Sequence, residues 1–206
     1  MTRAQSPQEP LDAATFGVPG ARRTIVVLRH GATATSDPGP ADTARRDVRV
    51  LAVGLSEAEL DDPAAYRGET PAETAAASVI DLIRAQAPDA SVALVGVGAV
   101  AAVASRIVAE SPGLVDRLVL VAAPLPETAA QRDLAEELLE TVTAKTLILN
   151  AQKDPDAAAA AASWHRDHLP DVRVEMVPLT RAGDPRLSLG DVWTRVLSFC
   201  APGTAR

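Results

Sequence analysis

Several short stretches of this chain are strand-like, and most of them are almost unbroken runs of Val, Leu and Ile: Thr24–Arg29, Val48–Val53, Ser91–Gly96, Arg117–Ala122, Thr146–Asn150 and Val172–Val177. A strand that shows one face to water alternates apolar with polar residues. A continuous run needs cover on both faces, which a parallel sheet between two helix layers supplies. Helical stretches lie between the runs. Thr70-Pro71-Ala72-Glu73 is a helix start, with Thr at the N-cap, Pro in the first turn and Glu three residues after the cap. That helix ends before Pro88, and a second runs from near Gly98 to Ser111. Others are predicted over Ala130–Thr141, Asp156–His168 and Leu189–Cys200. Strand alternating with helix predicts right-handed crossovers and an α/β fold with a doubly wound parallel sheet of about six strands.

The 206 residues suit one domain, predicted over 23–206. Residues 1–22, rich in Pro, Ala and polar groups, are predicted as a flexible lead-in without the apolar stretch of a signal peptide. No apolar run is long enough to span a membrane, so the expected location is cytoplasmic, with no membrane partner. A net charge of −7 and the lack of a Lys/Arg stripe argue against nucleic acid. With two Trp, one Tyr and two Phe, the core must be aliphatic and any pocket poor in stacking surface. Cys200 excludes an internal disulfide and is expected to be a buried, inert thiol.

Four strings, in order, resemble the α/β-hydrolase family. Val26-Val27-Leu28-Arg29-His30-Gly31 is similar to its first core strand and His-Gly turn; Val92 to Val100 holds the place of the strand, nucleophile elbow and helix. Val115 to Pro124 is similar to the next strand, and Thr146 to Pro155 to the strand that delivers the triad acid. The resemblance covers roughly residues 23–200. It implies a small lidless member, without the antiparallel hairpin that often opens the fold, and a strand order of 2-1-3-4-5-6. Ligands bind such sheets outside the carboxyl ends of the strands, at the switch point. That places the expected site among Gly31, Gly98, Asp154 and Asp184.

The resemblance also shows what is expected to be missing. The elbow reads Gly96-Val97-Gly98-Ala99-Val100, so Gly98 stands where the family has its nucleophilic serine. The nearest hydroxyl, Ser105, is expected to be structural. Asp154 holds the acid position, with an N-cap role as its other reading. The histidine position falls near Asp184, and no histidine follows His168. His165 and His168 are read as surface residues at a helix C-terminus. His30 borders the oxyanion site and is the third catalytic candidate beside Asp154 and Asp184. The backbone N–H groups of Ala32 and Ala99 would point into the site, and Thr33, Thr35 and Ser36 add hydroxyls in the same loop. Arg29 and Lys153 are nearby cations whose plain role is a solvated salt bridge.

A conventional serine hydrolase is therefore not expected, and neither a metal nor a cofactor is implied. The first reading is a fold-keeping protein that binds a small organic ligand or a partner without hydrolysis. The second is a non-hydrolytic enzyme, an isomerase, epimerase, cyclase or lyase, using the anion hole with Asp154 and Asp184 as a coupled carboxylate pair. The third is a hydrolase with a rearranged nucleophile, Thr33 or Ser36.

Overall fold

The structure, a computed structural model, describes residues 11–31, 35–56, 71–152, 159–178 and 187–205. Its strands form a seven-stranded sheet: β1 Asp12–Gly17, β2 Arg23–His30, β3 Arg49–Leu55, β4 Ser91–Val97, β5 Arg117–Val121, β6 Lys145–Ala151 and β7 Val172–Val177. The helices among the described residues are α1 Pro40–Thr43, α2 Pro71–Gln86, α3 Ala101–Glu110, α4 Ala129–Glu140, α5 Ala159–His168 and α6 Leu189–Cys200. None of them is long and apolar enough to cross a membrane.

The order across the sheet is β1-β3-β2-β4-β5-β6-β7. Setting β1 aside, this is the order expected from the sequence, and every remaining pairing is parallel. The addition is β1, which pairs antiparallel with β3 from Asp12↔Gly54 to Gly17↔Arg49. Two expectations are corrected here: the stretch 1–22 is not wholly outside the fold, and the parallel strands do have an antiparallel companion. The physical reason is the open edge of β3, whose outward N–H and C=O groups need partners. An edge strand with one covered face needs no aliphatic run, and β1 is largely exposed.

The aliphatic runs of β2 to β6 are buried on both sides, as their composition requires, whereas β7 at the edge is only partly buried. In β2, Val26 and Leu28 face one core while Ile25 and Val27 face the other. The first core lies under α2, α3, α4 and α5 and is built mostly from Ala, Val, Leu and Ile. The second lies under α6, whose Leu189, Val192, Trp193, Val196, Leu197 and Cys200 recur at helical spacing. Trp193 is 1% exposed, and its indole N–H donates to Thr43 Oγ1 at 2.9 Å. Gly39, just before α1, is required there because a Cβ would strike the Trp193 ring.

At the amino ends of the strands an ion pair ties β2 to β5. Arg23 at the start of β2 meets Asp116, just before β5, at 2.7 Å. The carboxyl ends are therefore the edge left for a site.

Candidate functional site

The β4–α3 turn is built by two glycines with different jobs. Gly96 lies within β4, where α3 crosses close behind it. A Cβ on Gly96 would lie 2.7 Å from Ala104 Cβ and 2.9 Å from Ala101 Cα, so only glycine lets the helix pack this close to the strand. Gly98 lies at the tip with φ +63°, and a Cβ built on it would meet nothing within 4 Å. The backbone thus holds the left-handed shape that presents a residue outward, and the space beyond is open. Residues Gly98–Val100 form a single 3-10 turn before α3 begins at Ala101. Val100 is fully buried and Ala99 is exposed at the tip.

This turn packs against β2, which brings the end of that strand beside it. His30, the last residue of β2, is exposed, and Gly31 follows with φ +93°. Arg29 donates to Ser36 Oγ at 3.1 Å, a surface hydrogen bond. On the other side Val97 pairs with Val121, so Ala122 sits beside Gly98. Ala122 is itself left-handed, with φ +50°, and its N–H donates to Leu149 O at 2.9 Å. A non-glycine residue in that conformation costs about 1 kcal/mol or more. His30, Gly98 and Ala99 are thus gathered at the carboxyl edge of the sheet. Ala32, Thr33, Lys153, Asp154 and Asp184 lie outside the described residues.

No family profile matches the sequence, and no curated protein does. Solved structures do match in shape. A dienelactone hydrolase from Anabaena variabilis superposes with a TM-score of 0.63 at 19% identity, covering 95% of this chain and 93% of that one. Est1E from Butyrivibrio proteoclasticus gives a TM-score of 0.64 at 11% identity, covering 91% of each chain. A CIB-like hydrolase from Thermoplasma acidophilum gives 0.60 at 17% identity, covering 90% of this chain and 89% of that one. The fold is the α/β-hydrolase fold.

Behind the turn of this α/β-hydrolase fold is a small cavity of about 20 Å³, lined among others by Ala99, Ser105, Pro124 and His165. That is room for one water-sized guest. Ser105 donates to Ala101 O at 3.0 Å and is 3% exposed, a hydroxyl bound within its own helix as expected. His165 corrects the surface reading of the sequence, being 4% exposed. Its Nδ1 lies 2.8 Å from Ala161 O and donates to it, which leaves Nε2 as an acceptor. Burial, above all, lowers the imidazole pKa below its ordinary 6.5; the Ala161 carbonyl opposes this and neighbouring His168 reinforces it. His168 is half-buried, bonded to Trp164 O, and reaches Glu136 of α4 at 3.1 Å.

Asn150, near the end of β6, is fully buried, and among the described residues neither amide atom has a hydrogen-bond partner. A buried carboxamide calls for a partner to its donor and its acceptor, from the protein, a water or a polar ligand. Sequence reasoning used Asn150 only as a strand boundary. The signal available was one polar residue ending an aliphatic run. Cys200 is fully buried as expected, and burial pushes its thiol up to about 12. Among the described residues no cluster of His, Cys, Asp and Glu is placed to hold a metal ion.

Proposed function

We propose that this chain is an α/β-hydrolase-fold protein that binds a small organic ligand without hydrolysing it. The observation that carries the reading is Gly98. It stands at the outward tip of the β4–α3 turn with φ +63° and open space beyond it, and it has no side chain to act as a nucleophile. The backbone shape supports a role for this turn in presenting something to the carboxyl edge. A bare glycine beside the Ala99 N–H leaves a donor for a carbonyl or carboxylate oxygen with no hydroxyl to attack it. No histidine follows residue 168, so the position where the resembling family carries its proton-relaying histidine has none. Asp154 belongs to this reading as an acid without a relay.

The test has two arms. A fluorophosphonate probe should leave the purified chain unlabelled, and short nitrophenyl esters should turn over no faster than in buffer. Stoichiometric labelling would overturn the reading, and the labelled residue would name the nucleophile. In the second arm, Gly98→Ser with Asp184→His should fold yet gain little esterase activity. The turn accepts a Cβ, but it is wound as a 3-10 turn around a buried Val100. An error of about 1 Å in the Ala99 N–H costs about a hundredfold in rate. Turnover like that of a working esterase would refute this account of the turn.

A further inference from the structure

We propose that two copies of this chain join edge to edge through β7, antiparallel about a two-fold axis at Val174. Among the described residues β7 is the last strand of the sheet, and one side of its backbone has no neighbouring strand there. Which groups face outward follows from the hydrogen bonds it makes inward. Asp171 O accepts from Thr146 N–H at 2.8 Å and Val177 O accepts from Gln152 N–H at 3.1 Å. N–H and C=O of one residue point the same way in a strand, and the direction alternates along it. Arg173, Glu175 and Val177 therefore bond to β6, in agreement with the register Ile148↔Val174 and Asn150↔Met176. Val172, Val174 and Met176 turn their backbone groups outward. An edge of this kind is a template for another strand.

The side chains specify which strand. Antiparallel pairing centred on Val174 sets Val174 opposite the partner's Val174 and Val172 opposite the partner's Met176. These are the outward-facing residues, so they form the hydrogen-bonded pairs of the ladder. The same register sets Arg173 opposite the partner's Glu175, a non-hydrogen-bonded pair in which side chains come closest. Each pair is then apolar with apolar or cation with anion. Opposite charges across strands stabilise a pair, and like charges oppose it. Within one chain Arg173 already meets Glu175 at 2.8 Å, so both side chains extend over the same face. Val172, Val174 and Met176 pack partly buried on the core under α2–α5, and the joined strands would extend that apolar strip. On the opposite face α6 packs over β5, and its Arg195 reaches Glu175 of β7 at 3.4 Å, the same carboxylate that Arg173 meets. The other edge strand, β1, has one charged residue, Asp12, and no cation to pair with it in a second copy.

Sedimentation velocity on the full chain should show a reversible dimer in the micromolar range. Val174→Pro removes the outward N–H at the axis while leaving every bond to β6 in place, because that N–H points away from β6. It should fold, by circular dichroism, and sediment as a monomer. Glu175→Arg should weaken the dimer by about tenfold or more, and Arg173→Glu combined with Glu175→Arg should restore it. The charge pair decides the matter if Val174→Pro fails to fold. A wild-type chain that stays monomeric, or a dimer indifferent to both Glu175→Arg and Val174→Pro, overturns the proposal. So does a Glu175→Arg dimer that the double exchange fails to rescue.

Discussion

Among the described residues four helices, α2 to α5, cover one face of the sheet, while the other is covered by α6 with the single turn of α1 beside it. The broad face is assembled from small pieces. Ala75 and Ala76 of α2, Ala101 and Ala104 of α3, and Ala162 of α5 are buried there among Val, Leu and Ile. No single side chain supplies much of the contact, and Ala-lined helices approach the strands closely. The narrow face concentrates its burial in one amphipathic helix and one large ring, Trp193. Hydrophobic stabilisation scales with area removed from water, so the same total can be spread thin or gathered. A face with gathered area is the more fragile of the two.

That contrast sets the order of expected effects. Trp193→Ala should be the most damaging core substitution, at about 3–5 kcal/mol, because it empties the centre of the narrow face. The hydroxyl of Thr43 would lose the indole donor as well. Urea denaturation gives the number, and a loss below about 1 kcal/mol would dissolve the distinction between faces. Gly96→Ala attacks the broad face where α3 comes nearest the sheet. It should lose about 1–3 kcal/mol, since the added methyl meets Ala101 and Ala104 and the helix must move. Ile83→Val, at a fully buried position on the inner side of α2, should lose only about 0.5–1.5 kcal/mol. A loss matching that of Trp193→Ala would show that burial on the broad face is gathered after all.

The smallest effect is conditional on pH. His165 is held neutral in the broad face, with its folded pKa depressed below an ordinary value of 6.5. The unfolded chain binds the proton more readily, so stability is complete above about 6.5 and declines as the pH falls below it. Replacing His165 by Gln should flatten that decline between neutral pH and mildly acid pH. An unchanged slope would mean that the imidazole contributes nothing to the acid sensitivity of this face.

The parallel core was legible because double burial leaves a mark in composition, and β7 runs over the predicted residues Val172–Val177. Where burial is partial the mark fades. Asp12-Ala13-Ala14-Thr15-Phe16-Gly17 pairs with β3 yet carries only one β-branched residue, so its strand character comes from the open edge beside it. His165 was misread for a related reason. The helix around it is mostly Ala, and with no large apolar stripe the sequence does not say which side faces inward. At the site, the place of the turn was readable from Gly96 and Gly98, and the structure adds its left-handed tip. Asp154, Asp184, Ala32 and Thr33 lie outside the described residues, so their part rests on sequence alone. Ala122 had no local signal, because its conformation goes with a long-range hydrogen bond, from its N–H to Leu149 of β6.

The tip glycine also bears on how this chain can change. At φ +63° glycine is unstrained, whereas any L side chain there costs about 1 kcal/mol. A hydroxyl gained at position 98 would lower stability at once. On the proposed reading its chemical benefit would wait for a histidine at the position where the resembling family has one, since none follows residue 168. The first of two necessary steps is harmful by itself, so neutral drift tends to return the turn to glycine. On the proposed reading, inactivity at this turn is a local resting point for the sequence, held there by backbone geometry and by the order in which substitutions would have to arrive.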